Sequence, residues 1–482
     1  MKKKITNVFF LLIVTLFISL SSCQTEKEKS ATNDSVQQKS FRDLEDIKKD
    51  GTLKVLTTYS GTSYFLYRGQ PMGFEYELLE RFAEHLGVSL EIQVSDNIDS
   101  LLYQLNHGEV DLVAHGLTIT SERKQIADFT DYLYLTHQVL VQKKPENWRT
   151  MRWSAVEREL IHDAIELIDD TVSVRSNSSY LQRLTNLSTE IGGEINIDTI
   201  QGNLSTDKII KMVVDEEIKY TVADNNIASI NASYYPVLDI TVPISFSQRI
   251  GWAVRNNSPV FKKAINDWLK EMKKQTDYYV IYNKYFKNSR SFRKRIRSEF
   301  YSLNNNKISK YDPLIKESAE KIGWDWRMLS SLVYQESRFD PNAGSWAGAK
   351  GLMQIMPATA EELGVEDRMD PMDNVEGGTK YLTEIWNDYT EIQDSIQRLK
   401  FTMAAYNCGY FHVEDARRLA IVENLDPNVW DENVEQMILD LSYQETYTRP
   451  EVKYGYVRGI EPYTYVRQIF ERYEHYKQFI EL

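Results

Sequence analysis

The stretch "YQESRFDPNAGSWAGAKGLMQIMP", residues 334–357, decides how the C-terminal part of this chain folds. It follows a segment whose apolar residues, Leu332 and Val333 among them, recur at helical spacing. Glu336 lies four residues after Leu332 and three after Val333, so this spacing puts its carboxyl on the apolar face of the predicted helix. Pro341 ends that helix, and a glycine-rich loop follows.

The predicted position of Glu336 suits acid–base chemistry. A carboxyl at the end of an apolar helix face is partly desolvated, which disfavours the charged form and raises the pKa. A glutamic acid that is still protonated near neutral pH can act as a general acid. Position alone leaves one alternative open, a glutamate at the helix end that faces solvent.

The chain on either side of Glu336 continues the helical pattern. After Lys310, Asp312 can cap a helix that has Pro313 at its first position. Gly323 closes that helix, and Asp325 can cap the one that carries Glu336. The sequence therefore predicts a mostly α-helical C-terminal part.

The N-terminal half has a different rhythm. Residues 52–58 form a short β-rich run, 73–88 carry apolar residues at helical spacing closed by Gly87, and 89–95 alternate as a strand. Later segments continue this βαβ order, which is typical of an α/β sheet. The fold class that we expect is multidomain, an α/β domain followed by a mostly α domain.

Between the two halves the chain turns basic and then polar. Seven of the fourteen residues in "KYFKNSRSFRKRIR" (284–297) are Lys or Arg. We place a linker at 288–305 and interpret the basic run as a solvated hinge, with contact to anionic lipid or wall polymer as the alternative.

Composition limits the class of partner. The chain has 482 residues and a formal net charge of -13, enough length for two or three domains. This charge argues against nucleic acid as a partner, because nucleic acid would need a basic footprint. Two cysteines, Cys23 and Cys408, are too few for a disulfide framework. Nothing in the sequence indicates a metal or an organic cofactor, so we expect neither.

The N-terminus, residues 1–22, has the features of a secretion signal. Three lysines precede an uncharged apolar run, 8–20, that is too short to predict a membrane span with certainty. The run ends in "LSSC", which resembles the bacterial lipobox and implies that Cys23 is acylated and becomes the mature N-terminus. Gln24 stands where an inner-membrane retention signal would have Asp, so the resemblance implies the outer membrane, periplasmic side. Polar residues 23–41 predict a disordered tether, and an ordinary signal peptide remains the alternative.

Four motifs in order make the C-terminal part resemble the soluble-lytic-transglycosylase family. They are Glu336-Ser337, "GLMQIMP" at 351–357, "AAYNCG" at 404–409 and "EPYTYV" at 461–466. The resemblance implies a lysozyme-like, mostly helical domain over 306–482, with peptidoglycan glycan strands as the substrate.

The resemblance also implies how one carboxylate suffices. In that family a glutamate protonates the oxygen that bridges MurNAc and GlcNAc, and then takes the proton of the C6 hydroxyl of the same MurNAc. That hydroxyl attacks the anomeric carbon and closes a 1,6-anhydro ring. Glu336 would fill both roles, because the second nucleophile belongs to the substrate.

Further site residues are carried over from the same motifs. Glu461, the other carboxylate of the motifs, is interpreted as structural rather than catalytic. Met356 would make an apolar contact, although it would equally suit the core. The residues that the resemblance implies to bind substrate are Ser345, Gln354, Met356, Tyr406, Asn407 and Tyr465.

Residues 42–287 resemble the family 3 periplasmic solute-binding proteins, which are two-lobed α/β domains. The resemblance rests on "GFEYELLERFAEHLG" and "GLTITSERKQIADFT". It implies that Arg123 clamps the α-carboxylate of a ligand, that Gly116 and Thr118 supply backbone and hydroxyl contacts, and that Asp224 takes the α-amino group. Amino acids or stem peptides would be the ligands. A domain that binds nothing is the alternative.

The two domains together resemble a membrane-bound branch of lytic murein transglycosylases. Two other functions stay open. One is a hydrolase of the goose-lysozyme type, which would use water and Asp340 or Asp373 as the partner of Glu336. The other is a non-enzymatic solute-binding lipoprotein, against which the intact Glu336 argues. The mass of the product separates the three.

Overall fold

A computed structural model describes residues 42–95, 97–201, 204–303 and 305–480. The predicted signal, Cys23 and the tether lie outside the described residues. Within the described ranges, every helix is too short or too polar to cross a membrane.

Strands occur only in the first half of the described chain. In chain order they are β1 (Thr52–Thr57), β2 (Phe65–Tyr67), β3 (Gln70–Met72), β4 (Ser89–Val94), β5 (Leu112–Thr118), β6 (Asp128–Phe129), β7 (Tyr134–Thr136), β8 (Gln138–Lys143), β9 (Thr171–Arg175), β10 (Asn196–Ile200), β11 (Tyr220–Asp224), β12 (Leu238–Asp239) and β13 (Gln248–Val254). The helices of this half are α1 (Leu44–Asp50), α2 (Phe74–Leu86), α3 (Leu101–His107), α4 (Arg123–Ile126), α5 (Trp153–Glu157), α6 (Ser179–Ile191), α7 (Thr206–Val214), α8 (Asn225–Tyr234), α9 (Pro259–Met272), α10 (Thr276–Phe286) and α11 (Ser289–Ile296).

The first lobe is built on a six-stranded sheet of order β4-β1-β5-β13-β6, with β7 also paired to β13. Strand β1 runs parallel to β4 and β5, whereas β13 runs antiparallel to β5. Val55, Leu112 and Trp252 of these strands are fully buried, which explains the apolar runs in the sequence. Gly87 ends α2 at φ 72, as its position in the sequence predicted.

The second lobe holds the antiparallel strands β11, β8 and β12 and the parallel pair β9 and β10. The chain passes from the sheet of the first lobe to this lobe between β7 and β8, and returns between β12 and β13. These two crossings make the two-lobed α/β domain that the sequence predicted, and they leave a cleft between the lobes.

The C-terminal part is helical, also as predicted. Its helices are α12 (Asp312–Ile322), α13 (Trp326–Ser337), α14 (Pro357–Leu363), α15 (Pro371–Asp388), α16 (Ser395–Cys408), α17 (Tyr410–Val422), α18 (Glu435–Asp440), α19 (Gln444–Tyr447) and α20 (Ile460–Phe479). Helices α13 and α16 both pack against α20. Leu329, Leu332, Phe401 and Ile469 from these three helices are fully buried in one core.

In the segment predicted as a solvated linker, 288–305, the described residues 288–303 include a helix and pack against the first lobe. It contains α11, which begins where the Asn288 side chain accepts a hydrogen bond from the Ser291 backbone amide at 3.0 Å. Phe292 and Tyr301 are buried, and the Tyr301 ring packs edge-on against Phe65 of the first lobe. The hinge interpretation was wrong because it weighed the cations and not the aromatic residues between them. The domain bounds 42–287 and 306–482 stay predictions.

The last helix, α20, joins the two domains. Near its C-terminal end, the Tyr476 hydroxyl donates to the Gly69 carbonyl at 2.7 Å and Nε2 of Gln478 donates to the Ile92 carbonyl at 2.6 Å. The Phe479 ring lies 4.5 Å from the ring of Tyr59. Since its first half packs inside the core of the helical domain, α20 is one element with contacts in both domains.

Candidate functional site

Glu336 lies in the last turn of α13, as the helical spacing predicted. The side chain of Asp325 caps this helix by accepting from the Arg327 amide at 2.9 Å. Leu332 and Val333 on the same face are fully buried, and the Glu336 carboxyl is half-buried beside them. The helix ends at Ser337, and its C-cap residue Arg338, with a φ of 52, turns the chain away. The carboxyl is therefore held at the rim of the core rather than in open solvent.

Burial raises the pKa of the Glu336 carboxyl from 4.5 to about 7. A hydrogen bond from the Tyr465 hydroxyl to Oε1 of Glu336 favours the charged form and limits this rise in pKa. Tyr465 is buried in the first half of α20. The carboxyl is thus poised to exchange a proton near neutral pH, which acid catalysis followed by base catalysis requires.

Tyr406 closes the other side of the site. Its hydroxyl donates to the Met353 carbonyl at 2.7 Å, and the charge of Glu336 contributes to the raised pKa of the Tyr406 phenol, after burial. The motif tyrosine is therefore near Glu336 but uses its proton to hold the loop that carries Met353. Asn407, next in the chain, is exposed at the end of α16.

The loop between α13 and α14 carries three of the predicted substrate-binding residues. Ser345 is exposed, and its Oγ accepts from the Ala349 amide at 3.0 Å. Gln354, with φ 50, donates its Nε2 to the carbonyls of Ala343 and Gly351. The amide hydrogens of Gln354 are thus used within the loop.

Met356 lies at the start of α14 with 40% of its surface exposed. This exposure argues against the core alternative that the sequence left open.

Two residues of this loop region were missed by sequence reasoning. Asn374, fully buried on α15, accepts from the Met353 amide at 2.7 Å and donates to the carbonyls of Lys350 and Arg368. No motif marks it, because an asparagine inside a helical pattern has no distinctive spacing. Trp346, beside Ser345, is completely exposed, and the sequence offered no way to tell it from a core tryptophan.

Asp340 and Asp373, which the sequence left open as partners of Glu336, accept hydrogen bonds from backbone amides close to them in the chain instead. Oδ1 of Asp340 accepts from the Asn342 amide at 3.0 Å, and Oδ2 of Asp373 accepts from the Asp367 amide at 3.2 Å. Glu461 is exposed and pairs with Arg458 at 2.8 Å within one turn. Its structural role is therefore confined to the start of α20.

The four residues predicted to bind a ligand in the N-terminal domain line one cleft between the lobes: Gly116, Thr118, Arg123 and Asp224. One of them has a different role from the one expected. The Gly116 amide donates to Oε1 of the buried Glu75 at 3.1 Å, so it holds Glu75 rather than a ligand.

The other three residues have polar groups in the cleft that can still form hydrogen bonds with a ligand. Nη1 of Arg123 donates to the Thr118 carbonyl at 3.0 Å, which orients the guanidinium and leaves its other N–H groups available. Oδ2 of Asp224 accepts from the Tyr180 hydroxyl at 3.3 Å, whereas its buried Oδ1 has no partner. Thr118 Oγ1 lies 3.2 Å from Ser179 Oγ. Burial raises the pKa of Asp224 to about 7.

In the part of the chain that the structure describes, no three His, Cys, Asp or Glu side chains gather as a metal-ligand set.

Each half of the chain matches a known protein family. The family described as bacterial extracellular solute-binding proteins, family 3, matches residues 52–288, and the transglycosylase SLT domain matches 313–424. A protein named membrane-bound lytic murein transglycosylase F, from Desulfosudis oleivorans, is 35% identical over 441 residues, which is 91% of this chain and 93% of that protein. Its namesake from Stutzerimonas stutzeri is 32% identical over 471 residues, 96% of this chain and 90% of the relative.

Among solved structures, an ancestral arginine-binding protein bound to arginine is 27% identical. It covers 49% of this chain and 98% of its own, with a TM-score of 0.41.

Proposed function

The chain belongs to the membrane-bound lytic murein transglycosylase F family and is a peptidoglycan lytic transglycosylase, and from this premise we propose that Glu336 alone performs the acid and the base step. The observation that carries the proposal is the raised pKa of the Glu336 carboxyl and, in the described part of the chain, the absence of a second acid among the influences on it. Burial and Tyr465 are the influences on the pKa of Glu336, and among the described residues no second acid adds to them. A lone carboxyl with a pKa of about 7 is suited to give a proton and take one back.

The proposed reaction moves one proton out and one proton in. Protonated Glu336 donates to the bridging oxygen as the bond from the MurNAc anomeric carbon to that oxygen breaks, and GlcNAc leaves as an alcohol. The resulting carboxylate accepts the proton of the MurNAc C6 hydroxyl. The C6 oxygen bonds to the anomeric carbon and closes the 1,6-anhydro ring. Glu336 ends protonated, and no water is consumed.

The contacts of the nearby aspartates favour this reaction over hydrolysis. An inverting hydrolase needs a second carboxylate to activate water, and a retaining one needs a second carboxylate as the nucleophile. Asp340 and Asp373 each accept a backbone amide of their own loop or turn. A carboxylate committed to its own turn is poorly placed to reach the far face of a sugar bound at Glu336.

Product analysis tests the proposal. Purified sacculi are digested with the protein in water labelled with heavy oxygen, and the released muropeptides are weighed. We expect 1,6-anhydro ends that are lighter by one water than reducing ends and carry no label. Labelled reducing ends would instead identify a hydrolase.

We also propose that Cys23 carries lipid and holds the enzyme on the periplasmic side of the outer membrane. The lipobox-like "LSSC" and the polar segment after it support this proposal, as does the membrane-bound character in the names of the relatives.

We further propose that the cleft of the N-terminal domain binds amino acids or stem peptides. Arg123 would take a carboxylate through its planar fork of N–H groups. The unpartnered Oδ1 of Asp224 would accept from the amino group. Such ligands are fragments of the polymer that the enzyme cuts, so the cleft would report local turnover.

A structural route for control runs beside the cleft. Ser60 and Ser63 line it, and the hydroxyl of the next residue, Tyr64, is hydrogen-bonded to Nδ1 of His475 on α20. A ligand can shift activity only if it binds one arrangement of this route better than another. We expect a bound amino acid to change the rate of the wild-type protein but not that of Arg123→Ala. Equal responses of the two proteins would contradict the proposed regulation of activity by a ligand in the cleft.

A further inference from the structure

A second guanidinium lies in the cleft between the lobes. Arg175, the last residue of β9, lines the cleft together with Arg123. Its buried Nε has no hydrogen-bond partner. Among the described residues neither arginine forms an ion pair with a carboxylate, although the ion pairs elsewhere in the chain are numerous. The cleft therefore holds two half-buried cations with which no carboxylate of the described residues forms an ion pair.

Burial makes this arrangement costly. Desolvation lowers the pKa of both guanidinium groups, and the charge of Arg175 lowers that of Arg123 further. Asp99, the acid whose charge acts on Arg175, is exposed and accepts from Nδ2 of Asn177 at 3.1 Å instead of forming an ion pair with Arg175. Buried charges in proteins are normally paired, so anionic groups of a ligand would relieve both.

Two acids, Glu75 and Asp224, line the same cleft, and the charge of Asp224 acts on Arg123. Arg123 and Arg175 also line a neighbouring surface cleft beside Gln182. Oε2 of Glu75 and Oδ1 of Asp224 are buried without a hydrogen-bond partner. The cleft thus offers guanidinium donors for carboxylates and, in these two oxygens, acceptors for an ammonium group.

The remaining charged groups of the cleft are already satisfied. Asp207 accepts from the Gly61 amide at 3.3 Å and from Nδ2 of Asn231 at 2.8 Å. Burial lowers the pKa of His115 to about 3, so its ring is neutral, and its Nδ1 lies 2.8 Å from the Thr58 hydroxyl. Neither residue supplies a partner for the second guanidinium.

We propose that the cleft selects ligands with two carboxylates and one ammonium group, with Arg123 holding the α-carboxylate and Arg175 the second one. This inference rests on the proposed ligand-binding function and adds the chemical class of the ligand. Dicarboxylic amino acids such as glutamate and diaminopimelate carry these groups, and so does a peptide end that terminates in one of them. A guanidinium fork meets each carboxylate through two parallel hydrogen bonds.

Calorimetry with the full-length protein tests the selection. The probes are L-glutamate, D-glutamate and meso-diaminopimelate, with L-alanine as the ligand that lacks a second carboxylate. We expect at least one dicarboxylic probe to bind about tenfold to hundredfold more tightly than L-alanine, the gain typical of charge-assisted hydrogen bonds. Arg175→Ala should remove that preference, whereas Arg123→Ala should weaken the binding of every probe.

Two further variants keep the result interpretable. Arg175→Gln retains a polar side chain and should also lose the preference, which separates the loss of charge from a packing defect. Arg158→Ala removes an exposed arginine of the second lobe that is bonded only to its own helix, and should bind every probe like the wild type.

The outcomes separate this inference from the function on which it rests. If L-alanine binds as tightly as every dicarboxylic probe and Arg175→Ala changes neither, the selection is overturned and the binding function stands. If no probe binds the wild-type protein at millimolar concentration, the binding function and the selection both fail.

Discussion

Tyr465 donates its hydroxyl hydrogen to Oε1 of Glu336 from a position 129 residues further along the chain. The two residues belong to α20 and α13, which pack against each other through the core of the catalytic domain. Because the C-terminal end of α20 also contacts the first lobe, the hydrogen bond at the Glu336 carboxyl belongs to an element shared by both domains.

Removing this hydrogen bond should move the pH dependence of the reaction. In Tyr465→Phe the charged form of Glu336 loses its donor, so the pKa of Glu336 should rise above about 7. Glu336 must start protonated, and activity is lost as pH rises through its pKa. The alkaline limb of kcat/KM should therefore move to higher pH in Tyr465→Phe. Tyr463→Phe removes a hydroxyl that contacts only Arg467 on the same helix and should leave the limb in place.

An unmoved alkaline limb in Tyr465→Phe would mean that the tyrosine does not tune the acid. A lower rate without a shift would point to a contact with substrate instead.

A buried aspartate should be a strong determinant of stability in the catalytic domain. Asp415 is fully buried, accepts from the amides of Lys453 and Tyr454 at 2.8 and 2.7 Å, and pairs with Arg418. Asp415→Ala leaves a cation and two amides without their partner and should cost about 3 kcal/mol. Urea unfolding monitors the loss.

The matched control is Glu461→Ala, which breaks an exposed ion pair with Arg458. It should cost less than about 1 kcal/mol and leave cleavage unchanged. Equal losses of stability in the two variants would contradict the account of Asp415.

A carboxyl between the domains should make stability depend on pH. Burial raises the pKa of Glu80 from 4.5 to about 7, and the charges of Glu77 and Glu471 add to the rise. Because the folded pKa lies above the unfolded one, the stabilisation is present at low pH and is lost as pH rises through about 7. Glu80→Gln does not ionise, so its melting temperature relative to the wild type should be higher at pH 8 than at pH 5. The other buried carboxyls are common to both proteins and cancel in this difference.

A difference in melting temperature that is the same at both pH values would show that folding does not raise the pKa of Glu80.

The membrane anchor is tested by Cys23→Ser. A cysteine that carries lipid accounts for membrane attachment, so the variant should appear in the soluble fraction after cell breakage, while the wild type sediments with outer membranes. Retention of Cys23→Ser in the membrane fraction would require another anchor.

Much of this molecule could be predicted from local pattern. The helix that carries Glu336 has an apolar spacing, a capping aspartate and a proline after its end, and these signals act within a few residues. The burial of Glu336 followed from the same spacing. Its partner Tyr465 was found only through a motif, because no local signal joins residues that meet through tertiary packing.

The errors and omissions share a physical cause. The basic segment around Phe292 was interpreted from its charge, whereas burial of its aromatic residues decides its structure. Gly116 and Asn374 are occupied by Glu75 and by the loop after α13, and such partners are set by long-range contacts. Arg175 was missed because an arginine at a strand end looks solvent-exposed until the opposite lobe covers it.

The most direct test of the central claim compares three carboxamide variants on purified sacculi, with the release of 1,6-anhydro products as the measurement. General acid–base catalysis contributes about 10²- to 10⁴-fold, and here one residue supplies both steps. Glu336→Gln should therefore lose almost all product while it keeps the wild-type fold. Asp340→Asn and Asp373→Asn should retain activity, since those carboxylates bind only local amides. Folded Glu336→Gln that still releases anhydro products at a substantial rate, or an equal loss in either aspartate variant, would contradict the claim that one carboxylate carries the reaction.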